Sequence, residues 1–195
     1  RDDEATPLYR ACTKNYLEVA RLLIKKGADP NQEGAVIVNK ATPLNIAVVK
    51  GSKELVELLV NAGANINENT FELPLYTSIY LNKVDIFDLL LQKGANPNLP
   101  GSTNLSHPVE PYPPLILAIT QKPPHDFQYI QKLVTAGADV NIVYRGYSAL
   151  LFACSLSTPD VVRYLCENGA DVNYSVPSRG FTSLMMAIRR EVVSL

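Results

Sequence analysis

The sequence predicts an all-α chain assembled from about six copies of one helix pair. A decapeptide that ends in Gly, Ala, an acidic or amide residue, a variable residue and Asn occurs five times, from "LLIKKGADPN" at 22–31 to "YLCENGADVN" at 164–173. A second block, first seen as "TPLYRAC", begins at residues 6, 42, 73, 113, 148 and 182. The Gly follows the start of this block by 21 residues in four repeats and by 24 in the fourth. Two blocks that recur in a fixed order indicate a repeat architecture.

The second block has the features of a helix start. Thr6, Thr42 and Thr182 are able to cap a helix, because a threonine hydroxyl accepts from unpaired backbone N–H groups. In the first four blocks the second residue is a proline (Pro7, Pro43, Pro74 and Pro114), which suits the first helical position because its missing N–H costs nothing there. The breaks after these helices carry Asn15, Gly51, Asn82 or Ser157. Gly and Asn there favour the left-handed conformation that ends a helix.

The decapeptide is interpreted as the end of a second helix. In "SKELVELLVNAG", the apolar residues 55, 56, 58, 59 and 60 give the spacing of a helix with a wide buried face. The Gly that follows is predicted to be left-handed, and Asp29 with Asn31 to start a turn by bonding their own backbone. Leucines of both helices are predicted to form the core: Leu8, Leu44, Leu75, Leu115, Leu150, Leu184, Leu22, Leu23, Leu58, Leu59, Leu89, Leu90, Leu133 and Leu165.

The two blocks together resemble the ankyrin repeat, whose signature has Thr-Pro-Leu-His in the first helix and Gly-Ala-Asp-Val-Asn at the end. This resemblance covers essentially the whole chain and implies an ankyrin-repeat solenoid, with stacked helix-turn-helix units and β-hairpin fingers. The family's His is replaced by Tyr9, Asn45, Tyr76, Ile116, Leu151 and Met185, so its bonds between adjacent loops are lost and looser fingers are expected. The repeats span approximately 1–33, 34–67, 68–100, 101–141, 142–173 and a partial 174–195.

Three stretches interrupt the period. Residues 32–41 and 99–112 lengthen two fingers, and three extra residues separate the helices of the fourth repeat within "TQKPPHDFQYI". Surface loops tolerate insertions at little entropic cost, whereas long loops on a rigid scaffold also carry recognition. Neither end supplies a clear polar terminal unit, so one single domain that is an excerpt of a longer protein is expected.

The composition offers little support for catalysis or for a charged macromolecular partner. With 18 basic and 19 acidic residues, the net charge of −1 gives no reason to expect nucleic acid, and no apolar run would insert into a membrane. His107 and His125 lie in proline-rich loops without metal-ligand spacing, and no phosphate-binding loop occurs. No catalytic residue, metal or cofactor is therefore predicted. Cys12, Cys154 and Cys166 are sparse and odd in number, which favours a cytoplasmic or nuclear location.

The resemblance implies a protein-protein interaction module, such as a scaffold or adaptor, that binds a peptide or protein segment on its concave surface. The alternative is a regulatory or substrate-recruiting region of a larger enzyme, such as a ligase or transferase, with its catalytic domain outside this segment. Nucleic-acid or lipid binding would need a basic stripe, and the lysines of the first two repeats are interspersed with acidic residues.

The resemblance also places the partner contacts at the finger tips and at the exposed ends of first helices. On the fingers these are Tyr112, Tyr144, Arg145, Tyr147, Ser178, Arg179 and Phe181; on first helices they are Thr13, Lys14, Val49, Lys50, Tyr80, Leu81, Ser155 and Leu156. Aromatic residues and arginine dominate interface hot spots, and arginine pairs bidentately with carboxylates. One hypothesis is that a peptide or a protein segment, with acidic or aromatic residues, docks on repeats four to six. The other is that these aromatics pack finger to finger.

Overall fold

The computed structural model describes residues 5–36, 39–67, 73–101, 111–121, 127–156 and 159–177, together with Gly180, Thr182 and Met185. The chain divides into two compact units, Arg1–Pro111 and Tyr112–Leu195, and each is described by itself. The described residues form ten helices in five pairs and two β-hairpins. The predicted all-α repeat fold with hairpin fingers is confirmed.

The first unit contains three helix pairs. First helices pack on one another in sequence, as do second helices, and each first helix also packs on its own second helix. The pairs are α1 (Pro7–Thr13) with α2 (Leu17–Lys25), α3 (Pro43–Lys50) with α4 (Lys53–Asn61), and α5 (Pro74–Tyr80) with α6 (Val84–Gln92). Strands β1 (Gly34–Val36) and β2 (Asn39–Ala41) pair antiparallel between the first two helix pairs, with Gly34 opposite Ala41.

The second unit repeats this arrangement with two helix pairs. They are α7 (Pro114–Thr120) with α8 (Phe127–Thr135) and α9 (Ala149–Leu156) with α10 (Pro159–Glu167). Strands β3 (Val143–Tyr144) and β4 (Tyr147–Ser148) form the hairpin that precedes α9. A single antiparallel bridge joins Ser175 to Thr182 at the beginning of the sixth repeat.

The helix boundaries follow the predicted backbone chemistry. The Thr6 hydroxyl accepts from the Tyr9 N–H at 3.1 Å and that of Thr42 from the Asn45 N–H at 3.3 Å, with a proline next in each case. After the first helices, Asn15, Gly51 and Asn82 have φ of 57°, 74° and 54°. The left-handed helix ends are thus confirmed at these three positions, while Ser157 lies outside the described residues.

Most of the predicted core is confirmed, but the first leucine of the decapeptide is not a constant core position. Leu59, Leu90, Leu133 and Leu165 are fully buried, whereas Leu22 is 57% exposed and Leu23 and Leu58 are only half-buried. The prediction for Leu22 was wrong because, among the described residues, no helix pair precedes α2. For the same reason Val19 is 46% exposed, while its equivalent Leu55, on a helix that packs against α2, is fully buried. Leu184 lies outside the described ranges.

In three of the five decapeptides, the structure shows that the final Asn joins one repeat to the next. The Asp29 carboxylate accepts from the Asn31 N–H at 2.8 Å, so the predicted local turn is confirmed. The Asn31 side chain then donates to the Gly63 carbonyl at 3.0 Å and accepts from the Asn65 N–H at 2.8 Å. The side chains of Asn67 and Asn141 make the same two bonds to the following decapeptides. These bonds link adjacent repeats in a chain that lacks the family's His.

Candidate functional site

Four of the six predicted first-helix residues of the first unit have exposed side chains. Lys14 and Lys50 are exposed, Val49 is 42% exposed and Tyr80 is 50% exposed. Leu81 is half-buried. The sixth, Thr13, is half-buried, and its hydroxyl donates to the Tyr9 carbonyl at 2.9 Å, so it supports α1 from within.

Helix stacking brings these residues into two rows. Counted from Thr6, Thr42 and Leu73, the seventh residue is Thr13, Val49 or Tyr80, and the eighth is Lys14, Lys50 or Leu81. Because α1, α3 and α5 pack in sequence and begin at the same point of the repeat, equivalent residues on neighbouring helices lie about 8–10 Å apart. We use the single name inner row for both rows, that is, for Thr13, Val49 and Tyr80 together with Lys14, Lys50 and Leu81. It is the site that the sequence predicted for the first unit.

The finger of the second unit is a tight hairpin. Arg145 and Gly146 occupy its two turn positions with φ of 51° and 80°. Two successive positive φ values define the turn type whose twist matches that of paired strands. Arg145 is exposed at the tip, and its guanidinium carbon lies 5.3 Å from the centroid of the Tyr144 ring, within range of a cation–π contact.

The aromatic residues around this finger contact one another. The rings of Tyr112 and Tyr144 lie 4.3 Å apart between centroids, and those of Tyr147 and Phe152 lie 5.8 Å apart. The Tyr174 hydroxyl donates to the Gly146 carbonyl at 3.0 Å, so the following finger also touches this turn. Tyr144 is only 7% exposed, and its ring is occupied inside the fold. Tyr112 and Tyr147 are half-buried and keep part of their surface in solvent.

The burial of Tyr144 has a cause in the residues beneath the fingers. Tyr144 is the seventh residue after its decapeptide Gly, a position that Gly34 and Gly101 hold in the first and third repeats. A Cβ on Gly34 would lie 2.4 Å from the Tyr9 ring, and one on Gly101 would lie 2.6 Å from the Tyr76 ring. Where the His position carries the smaller Ile116 or Leu151, the finger position carries Tyr144 or Val176, both buried. In these four repeats, therefore, the seventh residue after the decapeptide Gly is a glycine where tyrosine replaces the family's His, and it is a larger residue where Ile or Leu replaces it.

Of the remaining predicted contact residues, two lie at the end of α9 and three lie outside the described residues. Leu156 is 56% exposed at the end of α9. Ser155 is half-buried, and its hydroxyl donates to the Phe152 carbonyl at 3.0 Å. Ser178, Arg179 and Phe181 lie outside the described residues. Sequence analysis missed Phe152, which stands one turn before Leu156 on α9 and contacts Tyr147; the spacing of four residues on one helix face was the signal that could have identified it.

The described part of the chain has no metal-ligating cluster, and two of its thiols have raised pKa values. No group of three or more His, Cys, Asp or Glu residues that could hold a metal occurs in the described part of the chain, and both histidines fall outside it. Cys12 is fully buried, and burial raises the pKa of its thiol to about 11. Burial, and secondarily the nearby Cys166, raises the pKa of Cys154. Cys166 itself is exposed. Among the described helices, none has the length and apolar character to cross a membrane.

Solved structures with the same fold match nearly the whole chain. One is a chain in the complex of the predatory endopeptidase Bd0816 of Bdellovibrio bacteriovorus with immunity protein Bd3460; it is 20% identical, with a TM-score of 0.72 over 97% of this chain and 94% of that one. An ankyrin-repeat domain (ABAYE2397) of Acinetobacter baumannii AYE is 24% identical, with a TM-score of 0.73 over 95% and 91%. The ankyrin-repeat protein EF0377 is 21% identical, with a TM-score of 0.73 over 96% and 92%. These identities show a common fold.

Models of known protein families match most of the chain. No curated protein matches the sequence. The family described as ankyrin repeats in three copies matches residues 33–100 and 112–195, and the single ankyrin repeat matches residues 3–35. Together these matches cover well over half of the sequence and contain all five described helix pairs. The chain therefore belongs to the ankyrin-repeat family.

Proposed function

We propose that this chain is a partner-recruiting module that binds a peptide or protein segment, and that the inner row is its principal contact surface. The observation that carries the proposal is the exposure of Val49 and Tyr80 at equivalent positions of two stacked helices. Single exposed apolar residues are normal on any surface. A pair in register, flanked by Lys14 and Lys50, gives an apolar centre with a polar rim, as in protein interfaces.

The finger of the second unit is a second proposed contact. Arg145 at its tip and the half-exposed Tyr147 have the chemistry of interface hot spots. The Tyr112–Tyr144 pair favours a role inside the fold for those two rings, so we leave Tyr144 out of the proposed contact residues. Arg145 and Tyr147 remain in the set, together with Leu156 on α9.

Two features support a protein partner over other classes. Ankyrin-repeat domains generally bind proteins and are typically not catalytic. A chain of the same fold and similar length occurs in a complex between an endopeptidase and its immunity protein. That precedent favours an enzyme as one kind of partner, either as a separate protein or as a catalytic domain elsewhere in the same polypeptide.

The test starts from peptides selected for binding to the 195-residue chain from a random displayed library. Tyr80→Ser is then compared with Leu22→Ser, because Leu22 is similarly exposed, at 57% against 50%, but lies on the second helix α2. Loss of peptide binding by at least about tenfold in Tyr80→Ser, which is about 1.4 kcal/mol, with binding kept in Leu22→Ser, is the expected result.

The finger contact is tested with the same peptides and the pair Tyr147→Ala and Arg145→Glu. Weaker binding with an unchanged unfolding midpoint places the finger in the contact surface. A lower midpoint with unchanged affinity assigns these side chains to packing between fingers. If every selected peptide binds all these variants equally, the proposed surface is wrong.

A further inference from the structure

Among the helices of the first unit, acidic residues are confined to the second-helix layer. First helices α1, α3 and α5 contain no Asp or Glu, and Arg10, Lys14 and Lys50 lie on or directly after them. The second helices carry charges of both signs: the basic residues Arg21, Lys25 and Lys53, and five carboxylates, Glu18, Glu54, Glu57, Asp85 and Asp88. The chain as a whole has a net charge of only −1. The inner layer is therefore cationic in a molecule that is nearly neutral.

Two more lysines extend this positive charge along the turns between the helix layers. Lys53 begins α4, and Lys83 precedes α6. The Lys83 ammonium lies 3.0 Å from the point that a Cβ of Gly51 would occupy, so it reaches across to the end of α3 beside Lys50. We call Lys14, Lys50, Lys53 and Lys83 the cationic edge.

Helix stability alone does not account for the cationic edge. Lys14 and Lys50 lie at helix C-termini, where a positive charge interacts favourably with the helix dipole. Lys53 and Lys83 lie at helix N-termini, where the same dipole disfavours a positive charge. The ion pairs between described residues, Glu18 with Arg21 and Asp160 with Arg163, join residues of one helix and use none of the four lysines. Binding of an anionic partner gives these lysines a common role.

We infer that the partner of the inner row is an acidic, extended protein segment whose carboxylates pair with the cationic edge while an apolar side chain between them contacts Val49 and Tyr80. The inference rests on the proposed function and adds the partner's chemistry to it. Complementary charge steers association and sets the register of such a segment. An apolar contact supplies affinity that charge pairs at an exposed edge do not.

The geometry also gives the spacing of the partner's carboxylates. Neighbouring packed helices lie about 8–10 Å apart, and an extended peptide advances about 3.3 Å per residue. Acidic residues three positions apart therefore match Lys14 on α1 and Lys50 on α3. An apolar residue between them reaches the row of Val49 and Tyr80.

A nucleic acid fits the same edge less well. Specific and non-specific nucleic-acid binding usually draws on about six to ten phosphate contacts. The edge offers four lysines, and the row beside them is apolar at Val49 and Tyr80. A phosphate backbone has no group for that apolar row, whereas a peptide does.

The probe is a labelled synthetic peptide with glutamate at every third position and leucine between, titrated into the full chain. The variant is Lys14→Glu with Lys50→Glu. The matched control is Lys25→Glu with Lys26→Glu, which reverses the same number of exposed lysines at the C-terminus of the second helix α2. Because both pairs lie at helix ends, loss of helix-dipole stabilisation is similar in the two variants.

We expect the peptide to bind the wild-type chain and the control, and to bind Lys14→Glu/Lys50→Glu at least tenfold more weakly. A peptide with lysine in place of glutamate is expected to reverse this preference. Equal weakening in both variants, or equal binding of duplex DNA or of vesicles containing phosphatidylserine, overturns the inference.

The two proposals fail in different ways. If library-selected peptides lose binding in Tyr80→Ser but are not acidic and ignore the lysine reversals, the partner chemistry is wrong and the binding surface stands. If they ignore Tyr80→Ser as well, the proposed surface is wrong.

Discussion

Gly34 lies directly over the ring of Tyr9, and a Cβ there would come within 2.4 Å of ring atoms. Its φ is not in the left-handed region, so a side chain is excluded by contact alone. We expect Gly34→Ala to destabilise the chain by about 1–3 kcal/mol, the usual range for overpacking. Urea unfolding of Gly34→Ala, of Tyr9→Leu and of the double variant measures the effect.

The double variant is the decisive comparison, because a smaller residue at position 9 makes room for the methyl group. A favourable coupling energy in this cycle is expected. Additive losses would mean that Gly34 is required for another reason than the Tyr9 ring.

Gly63 presents the opposite case. Its φ is 90°, and no atom lies within 4 Å of the position of a Cβ, so the restriction is purely conformational. We expect Gly63→Val to lower the free energy of unfolding by about 1–3 kcal/mol, because a β-branched residue is strained there. Gly63→Asn is the control, since Asn tolerates this conformation better. Equal unfolding midpoints for wild type and Gly63→Val would contradict the account.

The cysteines differ in both exposure and pKa. Only the thiolate reacts with alkylating reagents, and burial holds the pKa of Cys12 at about 11. We therefore expect Cys166 to be labelled first at pH 8, then Cys154, and Cys12 only after unfolding. Because the pKa of Cys12 is raised in the folded state, its contribution to stability is full at neutral pH and is lost as pH rises towards about 11. Mass spectrometry of partially labelled chain gives the order, and early labelling of Cys12 would contradict it.

At the scale of the elements, side chains of the decapeptide connect adjacent repeats. Asn31 joins the first repeat to the second through one donated and one accepted bond. We expect Asn31→Ala to cost about 1–2 kcal/mol, since each such bond contributes roughly 0.5–1.5 kcal/mol net. Asn31→Asp keeps the acceptor and is expected to cost less. Gln32→Ala, next to it on the surface, is the control for chemical denaturation and should leave stability unchanged.

Local backbone chemistry made much of the fold predictable, and contacts between repeats made the rest unpredictable. Thr6, Pro7 and Gly27 act within a few residues, so their roles follow from the sequence. Asn31 looked like a local turn residue because its partners lie 32 and 34 positions away and become neighbours only when repeats stack. Leu22 was assigned to the core because periodicity does not tell which helix face has a neighbour.

The candidate site was predictable to a similar extent. Lys14, Val49, Lys50 and Tyr80 were placed correctly at exposed first-helix ends because the repeat fixes their positions. Tyr144 was assigned to a partner because it is aromatic, whereas it is only 7% exposed and its ring packs on Tyr112, 32 residues earlier.

At the scale of the molecule, the stacked ankyrin repeats of the first unit form two helix layers that differ in their charged residues. The first helices of the first unit carry no carboxylate, and Lys14, Lys50, Val49 and Tyr80 are exposed at their ends. The second helices carry all five carboxylates, together with Arg21, Lys25 and Lys53. This separation is the basis for placing the partner on the inner row. The two layers also contain residues of the same type and similar exposure, which can be compared in one binding experiment.

Val49 and Val19 are such a pair, because they are 42% and 46% exposed on α3 and α2 respectively. The most direct measurement is a methyl NMR titration of the chain with a library-selected peptide. Our account predicts that the Val49 methyl resonances shift progressively to saturation while those of Val19 stay in place. Saturating shifts at Val19 with none at Val49 would contradict the proposed surface.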